Sequence, residues 1–397
     1  MLYRPEAFEP LADEPWDEAR VRSAIQAIVA DADDAFDPDT LWPANEWDAW
    51  KSTPPLKDLY CGAAGVVWAL NALRRRGHAE TRLDLEAAAA RALELQRESP
   101  DLGELDELPQ PQASSLVCGE TGIALLLWRL APDGGLADTL LGLVRANVAN
   151  VAEEVMWGTS GTMLVARTMH GWTGEERWAE VWHESADALW SRRDDEGLWT
   201  QRIFGGPPCQ YLGPAHGLVG NVHALLAGED ERVETLRRET AAILSREAVV
   251  EEGLANWPGL AGGDLVPRDG MPRLQWCHGS PGIVATAGAY LDEELLLAGA
   301  ELTWRAGPHG GDKGAGLCHG TAGNGYGLLK AFAHTGDERW LERARRFAVH
   351  GLAQTERLRT EAGRGRYSLM TGDVGVALFA AACLDADARY PVLDGWD

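Results

Sequence analysis

The chain has 397 residues, of which 45% are apolar, and carries a formal net charge of −25 with an isoelectric point of about 4.8. This acidity disfavours nucleic acid and anionic lipid as partners, because the average surface repels both. The length and apolar content fit either two or three ordinary domains or one large repetitive domain.

The amino-terminal stretch MLYRPEAFEPLADEPWDEAR carries acids and prolines where an export signal needs a basic start and an apolar core. No uninterrupted apolar run reaches the roughly 18 residues of a membrane-spanning helix. We therefore expect a cytoplasmic protein without a membrane anchor. In that compartment the six cysteines are expected to be thiols, metal ligands or packing residues rather than disulfides.

The tetrapeptide Gly-x-x-Gly, followed by an apolar run, recurs along the whole chain. Its seven copies begin at Gly62, Gly119, Gly158, Gly217, Gly279, Gly320 and Gly372. The apolar runs alternate with amphipathic segments such as LEAAAARALELQ and ERWLERARRFAVHGLAQ, whose apolar residues recur every three or four positions. This alternation predicts an all-α fold, an α/α toroid of seven helical hairpins with an inner and an outer ring.

We predict that residues 1–397 form a single domain, in which residues 1–50 supply an amino-terminal extension and the first outer helix. Closure of such a ring requires the first and last repeats to pack together. The glycine pairs are expected to open each inner helix where neighbouring backbones crowd near the axis, because only glycine lacks a side chain. Residues 198–211 and 258–275 are expected to hold irregular loops or short strands.

Two Cys-His pairs stand before neighbouring glycine pairs, in the sequences WCHG at residues 276–279 and LCHG at residues 317–320. Adjacent inner helices would bring the pairs close enough for thiolates and an imidazole to share a tetrahedral Zn²⁺. Three of the four side chains would suffice for a catalytic site with one open position. The other cysteines have no following histidine or visible partner and are interpreted as small buried residues: Cys61, Cys118, Cys209 and Cys383.

Other charged or titratable residues fall at the same level of the ring. His216, in the sequence PAHG, could act as a general acid or base near pH 7, or be structural. Arg273, four residues before Cys277, could stabilise negative charge on a substrate carbonyl, or be an ordinary surface arginine. Glu153 or Glu154 could orient His216 or bind substrate, or form a solvated helix end.

These motifs together resemble those of the lanthionine synthetase C-like (LanC-like) family, and the resemblance runs from about residue 4 to residue 375. It implies an α/α toroid with one zinc ion per chain. The zinc ligands that it implies are Cys277, Cys318 and His319, with His278 as a neighbour rather than a ligand. A carbohydrate-active α/α toroid would need a pair of carboxylates at the mouth of the ring and gives no reason for the duplicated Cys-His pairs.

The family's active-site histidine matches His216, and its active-site arginine matches Arg273. In bacterial lanthipeptide cyclases the zinc cysteine is usually followed by tyrosine, and an aspartate stands four residues before the third glycine pair. Here those positions hold His278 and Glu154, as in the glutathione-using LanC-like proteins of eukaryotes. Lys313, five residues before the second zinc cysteine, is similar to a glutathione-binding lysine of that branch.

Arg4 resembles an amino-terminal substrate-binding arginine of the same branch, and Arg364 or Arg366 a carboxy-terminal one. The implied reaction is the zinc-dependent addition of a thiol, glutathione first, to dehydroalanine or dehydrobutyrine residues of a peptide or protein, with His216, Arg273 and Glu154 catalytic. Two alternatives remain: a lanthipeptide cyclase that forms rings within one peptide, and a zinc- and glutathione-binding protein without turnover. Another protein would have to make the dehydrated substrate.

Overall fold

The computed structural model describes residues 1–49, 52–102, 114–203, 205–228, 231–311 and 313–396. The regular secondary structure of this part of the chain is almost entirely helical. It also contains an antiparallel ribbon of β1 (Val249–Glu251) and β2 (Leu254–Asn256), a 3₁₀ turn at Pro5–Ala7 and a short helix, α2 (Glu46–Ala49). None of the described helices combines the length and apolar character needed to cross a bilayer.

Seven amphipathic helices in the described residues form an outer ring. They are α1 (Glu18–Ala35), α4 (Leu85–Glu98), α6 (Gly134–Asn147), α8 (Glu176–Ser191), α10 (Val233–Glu247), α12 (Glu293–Ala306) and α14 (Glu338–Ala362). Five of these helices begin with an aspartate whose carboxylate accepts a backbone N–H of the first turn, which satisfies an otherwise unpaired amide. The caps are Asp17, Asp84, Asp133, Asp292 and Asp337.

Seven further helices of the described residues form the inner ring and carry long runs of buried residues. They are α3 (Ala63–Arg75), α5 (Glu120–Leu130), α7 (Thr159–Thr173), α9 (Leu218–Leu226), α11 (Ser280–Ala287), α13 (Thr321–Thr335) and α15 (Asp373–Asp385). The first glycine of each Gly-x-x-Gly pair is the N-cap residue of its inner helix. The prediction that the glycines open the inner helices is thus confirmed.

The inner helices follow one another around a closed circuit. Helices α7, α9, α11, α13 and α15 pack in that order, α15 packs against α3, and α3 packs against α5. The outer helix α6 contacts both α5 and α7, and α1 packs on α15. The last repeat therefore meets the first, and the single cooperative domain stays a prediction.

The second glycine of each pair is required by a close approach within its own repeat. A Cβ added there would lie 1.7–2.3 Å from the carbonyl oxygen six residues earlier, which is impossible without a backbone shift. These glycines are Gly65, Gly122, Gly161, Gly220, Gly282, Gly323 and Gly375. The expected crowding between neighbouring backbones is therefore wrong in detail, because the nearest obstacle is the preceding loop of the same repeat.

Alanine substitutions in α7 separate this steric requirement from ordinary helix propensity. In Gly161→Ala the new Cβ would meet the Val155 oxygen at 2.1 Å, whereas the Cβ of Gly171→Ala would meet nothing within 4 Å. We expect Gly161→Ala to lower the free energy of unfolding by about 2–3 kcal/mol. Gly171→Ala should instead raise it slightly, by less than about 1 kcal/mol. Urea unfolding curves that moved equally for both variants would contradict this explanation.

Candidate functional site

Five of the loops that precede the inner helices are joined by backbone hydrogen bonds between residues two positions before their glycine pairs. Cys277 donates its N–H to Cys318, Cys318 to Met370, Met370 to Tyr60 and Tyr60 to Val117, over 2.8–3.3 Å. These bonds connect the fifth, sixth, seventh, first and second repeats in turn. Residues at this level, and those one position later, are therefore held at one end of the ring.

Cys277, Cys318 and His319 come together at this end of the ring. Their ligand atoms all lie within 4.8 Å of one another, and the Cys318 Sγ is 3.6 Å from the His319 Nε2. Tetrahedral zinc with bonds of 2.0–2.3 Å spaces its ligands by about 3.5 Å. The three side chains therefore fit a metal ion of this kind, and His278 is not part of the group, as the resemblance implied.

The two thiols of this group differ in acidity. Burial raises the pKa of the Cys277 thiol, but a hydrogen bond with Cys318 and the charge of His319 act against burial, and that pKa lies well below its ordinary value. Burial and the neighbouring Cys277 hold the pKa of Cys318 well above its ordinary value. One thiolate is thus stabilised before any metal binds.

Two neighbours of the sulfur atoms were not identified from the sequence. Gln275 donates its side-chain N–H to the Cys277 Sγ at 2.9 Å, and the Tyr60 hydroxyl hydrogen-bonds Cys318, which favours its thiolate. Tyr60 stands two residues before its glycine pair, the position that both cysteines occupy in their own repeats. This shared position in the repeat could have identified Tyr60 from the sequence. Gln275 has no such equivalence to indicate its role.

His216 is held by Glu154. The His216 Nδ1 donates to the Glu154 carboxylate at 2.9 Å, and that carboxylate also accepts the backbone N–H groups of Met156 and Trp157. Burial lowers the pKa of His216, but the hydrogen bond and charge of Glu154, with the charge of Cys277, leave that pKa above its ordinary value. His216 is therefore suited to carry a proton near neutral pH.

Glu153 and Glu154 point to different partners although they are adjacent. Glu153 has a positive φ of 54° and pairs with Arg192 at 2.7 Å, away from His216. Its carbonyl oxygen accepts N–H groups from Gln201 and Asn221, which fix the loop. Of the two acids, Glu154 is the one that orients His216.

His278 lies beside this pair as a neutral ring. Its imidazole centre is 6.0 Å from that of His216 and 5.3 Å from the Tyr211 ring. Burial, together with the charges of His216, His319 and Arg273, lowers its pKa to about 4, although the charge of Cys277 raises it. The His278 Nδ1 is buried and has no hydrogen-bond partner in the described residues.

A cavity of about 580 Å³ opens onto the site, and most of its wall comes from residues just before the glycine pairs. Its apolar lining includes Trp47, Leu56, Leu102, Met156 and Trp157, and its polar lining includes Asp58, Tyr60, His216, Cys318 and His319. The Trp47 ring meets the His319 ring edge-on at 5.8 Å. A molecule in this cavity would therefore contact Cys318, His319 and His216.

The interpretation of the remaining cysteines as buried residues holds only in part. Cys383 is fully buried in the core. Cys61, Cys118 and Cys209 are only partly buried, and the first two line the cavity. Cys61 and Cys118 directly precede the glycine pairs of the first and second repeats, as His216 does in the fourth. Both therefore lie at the site rather than in the core.

Three cationic residues predicted to act at the site, Arg4, Arg273 and Lys313, are not part of the cavity lining. The partly exposed guanidinium of Arg273 pairs with Asp269. The pKa of Asp269 is lowered by a hydrogen bond from the Met271 N–H and by the charges of Arg273 and Arg4. The two arginines are thus brought together from distant parts of the chain. Lys313 is exposed in the loop before α13.

Lys313 and His319 both influence the buried His309. The pKa of His309 falls to about 4, mainly because of burial and then because of the charges of Lys313 and His319.

Arg366 lies on the cavity side instead. Its guanidinium forms a forked ion pair with Asp48 and stacks over the Trp47 ring at 5.2 Å. Arg364, the other carboxy-terminal candidate, is exposed and donates to the Ala44 carbonyl. Arg366, which the resemblance grouped with Arg4 and Lys313 as substrate-binding residues, therefore contacts Trp47 and Asp48 of the cavity wall.

The chain belongs to the lanthionine synthetase C-like protein family, because the family model matches residues 48–394. Among curated proteins it is 32% identical to "Glutathione S-transferase LANCL1" of Danio rerio over 47% of this chain and 46% of that protein. It is 26% identical to "LanC-like protein GCL1" of Arabidopsis thaliana over 46% of this chain and 43% of that protein. Each match thus spans less than half of the relative.

The fold is that of a solved structure named nisin cyclase, with a TM-score of 0.60 over 91% of this chain and 94% of that chain. The sequence identity is 17%, so this likeness concerns the fold alone. Together with the two rings of helices, it confirms the predicted α/α toroid.

Proposed function

We propose that this protein is a zinc-dependent enzyme that adds the thiol of glutathione to dehydroalanine or dehydrobutyrine residues and forms a thioether. The observation that carries the proposal is the convergence of two groups on one cavity. The Cys277, Cys318 and His319 cluster supplies a metal site, and the Glu154–His216 pair supplies a proton beside it.

The chemistry requires a thiolate, an electrophile and a proton donor in contact. Zinc, when bound, lowers the pKa of a coordinated thiol and holds it as thiolate. Attack of the glutathione thiolate on the β-carbon would form the C–S bond and move the π electrons onto the carbonyl oxygen as an enolate. Arg273 would stabilise the enolate, and His216 would protonate the α-carbon. The proton given by His216 balances the one that the thiol lost.

Glutathione is favoured as the thiol donor by cationic side chains that lie outside the cavity lining. Glutathione carries two carboxylates, and Arg4 and Lys313 supply cations that would anchor the tripeptide by ion pairs while its sulfur reaches the metal position. The name of the Danio rerio relative, a glutathione S-transferase, supports the same donor. The electrophile would then enter through the more apolar cavity.

The decisive experiment is mass spectrometry of a dehydroalanine peptide incubated with zinc-loaded protein and glutathione. The proposal requires a mass gain of one glutathione per dehydroalanine that depends on both protein and zinc. Glutathione binding without any adduct would favour a non-catalytic binding protein.

Lys313→Ala should weaken glutathione binding without changing the zinc content. Loss of one ion pair of about 1.4 kcal/mol would raise the KM for glutathione roughly tenfold and leave kcat within about twofold. Lys330→Ala is the matched control, because Lys330 lies in the later turns of α13 near Asp394. Steady-state kinetics at varied glutathione would refute the role of Lys313 if both variants behaved alike.

A peptide cyclase is the second candidate, favoured by the size and apolar wall of the cavity. In that case a cysteine of the dehydrated peptide itself would take the metal position. A dehydrated peptide that contains cysteine, offered without glutathione, would lose its free thiol with no change in mass. Cyclisation in the absence of any glutathione adduct would replace the first proposal with this one.

A further inference from the structure

The carboxy-terminal segment, residues 386–396, closes the end of the ring that lies away from the cavity. The inner helices begin beside the metal ligands, so their later turns lie at the far end. The segment contacts those later turns: the Leu393 carbonyl accepts from His223 at 3.1 Å, and Trp396 meets Trp68 edge-on at 6.2 Å. The segment therefore lies across the base of the toroid.

One side chain of this segment extends inward to the metal site. Tyr390 is buried, and its ring stacks on Trp276 with centroids 4.3 Å apart and planes 7° from parallel. Its hydroxyl donates to the Leu317 carbonyl at 3.0 Å. Trp276 and Leu317 directly precede Cys277 and Cys318, so one phenol contacts both cysteine loops immediately before their sulfur-bearing residues.

We infer that Tyr390 is a positioning residue that sets the separation of the Cys277 and Cys318 sulfurs from beneath the metal site. The loops are also tied to each other by the Cys277 N–H to Cys318 carbonyl bond, which at 3.3 Å is long. The Leu274 carbonyl, three residues before Cys277, also accepts from His309 at 2.8 Å, farther from the sulfur-bearing residues. Tyr390 adds an attachment directly beside both cysteines, and metal sites tolerate only small departures from ligand geometry.

The role of Tyr390 differs from general packing because its two contacts can be removed separately. Tyr390→Phe keeps the stack on Trp276 and loses the hydrogen bond to Leu317. Tyr390→Leu removes both contacts. Leu393→Ala loosens the same segment at the far end without touching either cysteine loop, and so serves as the matched control.

The test measures zinc affinity by competition with a chromogenic chelator and the thiolate-to-metal absorption band of the Co²⁺-substituted protein. Outer contacts of metal ligands are worth 10- to 100-fold in affinity, so Tyr390→Leu should lose on the order of that much and shift the Co²⁺ band. Tyr390→Phe should lose less than Tyr390→Leu but a measurable amount, roughly two- to tenfold. Leu393→Ala should match the unaltered protein in both readouts.

Unchanged zinc affinity in Tyr390→Leu, or an equal loss in Leu393→Ala, would overturn the inference. If Tyr390→Leu fails to fold, Tyr390→Phe provides the test. A Tyr390→Phe variant with the zinc affinity and Co²⁺ band of the unaltered protein would overturn the inference. The catalytic consequence rests on the proposed function, but the metal readouts do not. Zinc-loaded protein that adds no thiol would defeat the proposed function alone and leave the role of Tyr390 standing.

Discussion

Replacing Cys318 with alanine should remove zinc from the protein and abolish thiol addition. The substitution takes away one of three protein ligands and leaves only Cys277 and His319, fewer than the three that catalytic zinc sites use. Loss of a directly bound ligand should cost more than loss of an outer contact, so we expect zinc affinity to fall by more than about 100-fold. Metal analysis after dialysis against a chelator measures this directly.

The control for this experiment is His278→Ala. His278 follows the other zinc cysteine but stands outside the group of ligand atoms, so the variant should keep one zinc per chain. Its ring is neutral near pH 7, with a pKa of about 4, and its removal should leave the charge of the site unchanged. Full zinc content in Cys318→Ala, or loss of zinc in His278→Ala, would mean that the ligands have been assigned incorrectly.

The sequence predicted best the features that the repeat itself encodes. Cys277 and Cys318 stand at equivalent positions of adjacent repeats, so any ring built from those repeats brings them together. The same rule applies to Tyr60 and Met370, which complete the hydrogen-bonded loops at that level. Position within the repeat therefore carried both the fold and the centre of the candidate site.

Features outside the repeat could not be predicted in this way. Trp47 and Tyr390 lie in segments before the first and after the last glycine pair, and they reach the site only through contacts distant in sequence. Glu153 and Glu154 could not be distinguished either. The positive φ of Glu153 directs the two side chains to different partners. Hydrogen bonds from Gln201 and Asn221 to the Glu153 carbonyl, which come from distant parts of the chain, hold this backbone conformation.

Removing His216 should affect turnover far more than substrate binding. If its imidazolium protonates the α-carbon, His216→Ala should lower kcat by about 10²- to 10⁴-fold, the usual contribution of a general acid, with little change in the KM for glutathione. The zinc content should stay at one per chain, because His216 is not a ligand. A tenfold rise in KM with unchanged kcat would make His216 a binding residue instead.

Glu154→Gln should then move the pH dependence of the remaining activity. A general acid works while protonated, so kcat should fall as pH rises through the pKa of His216, which the Glu154 charge and hydrogen bond keep above the ordinary histidine value. Glutamine removes that charge, while burial continues to lower the pKa. The descending limb of the kcat profile should therefore shift to lower pH in Glu154→Gln. A limb that stayed in place would show that a group other than His216 delivers the proton.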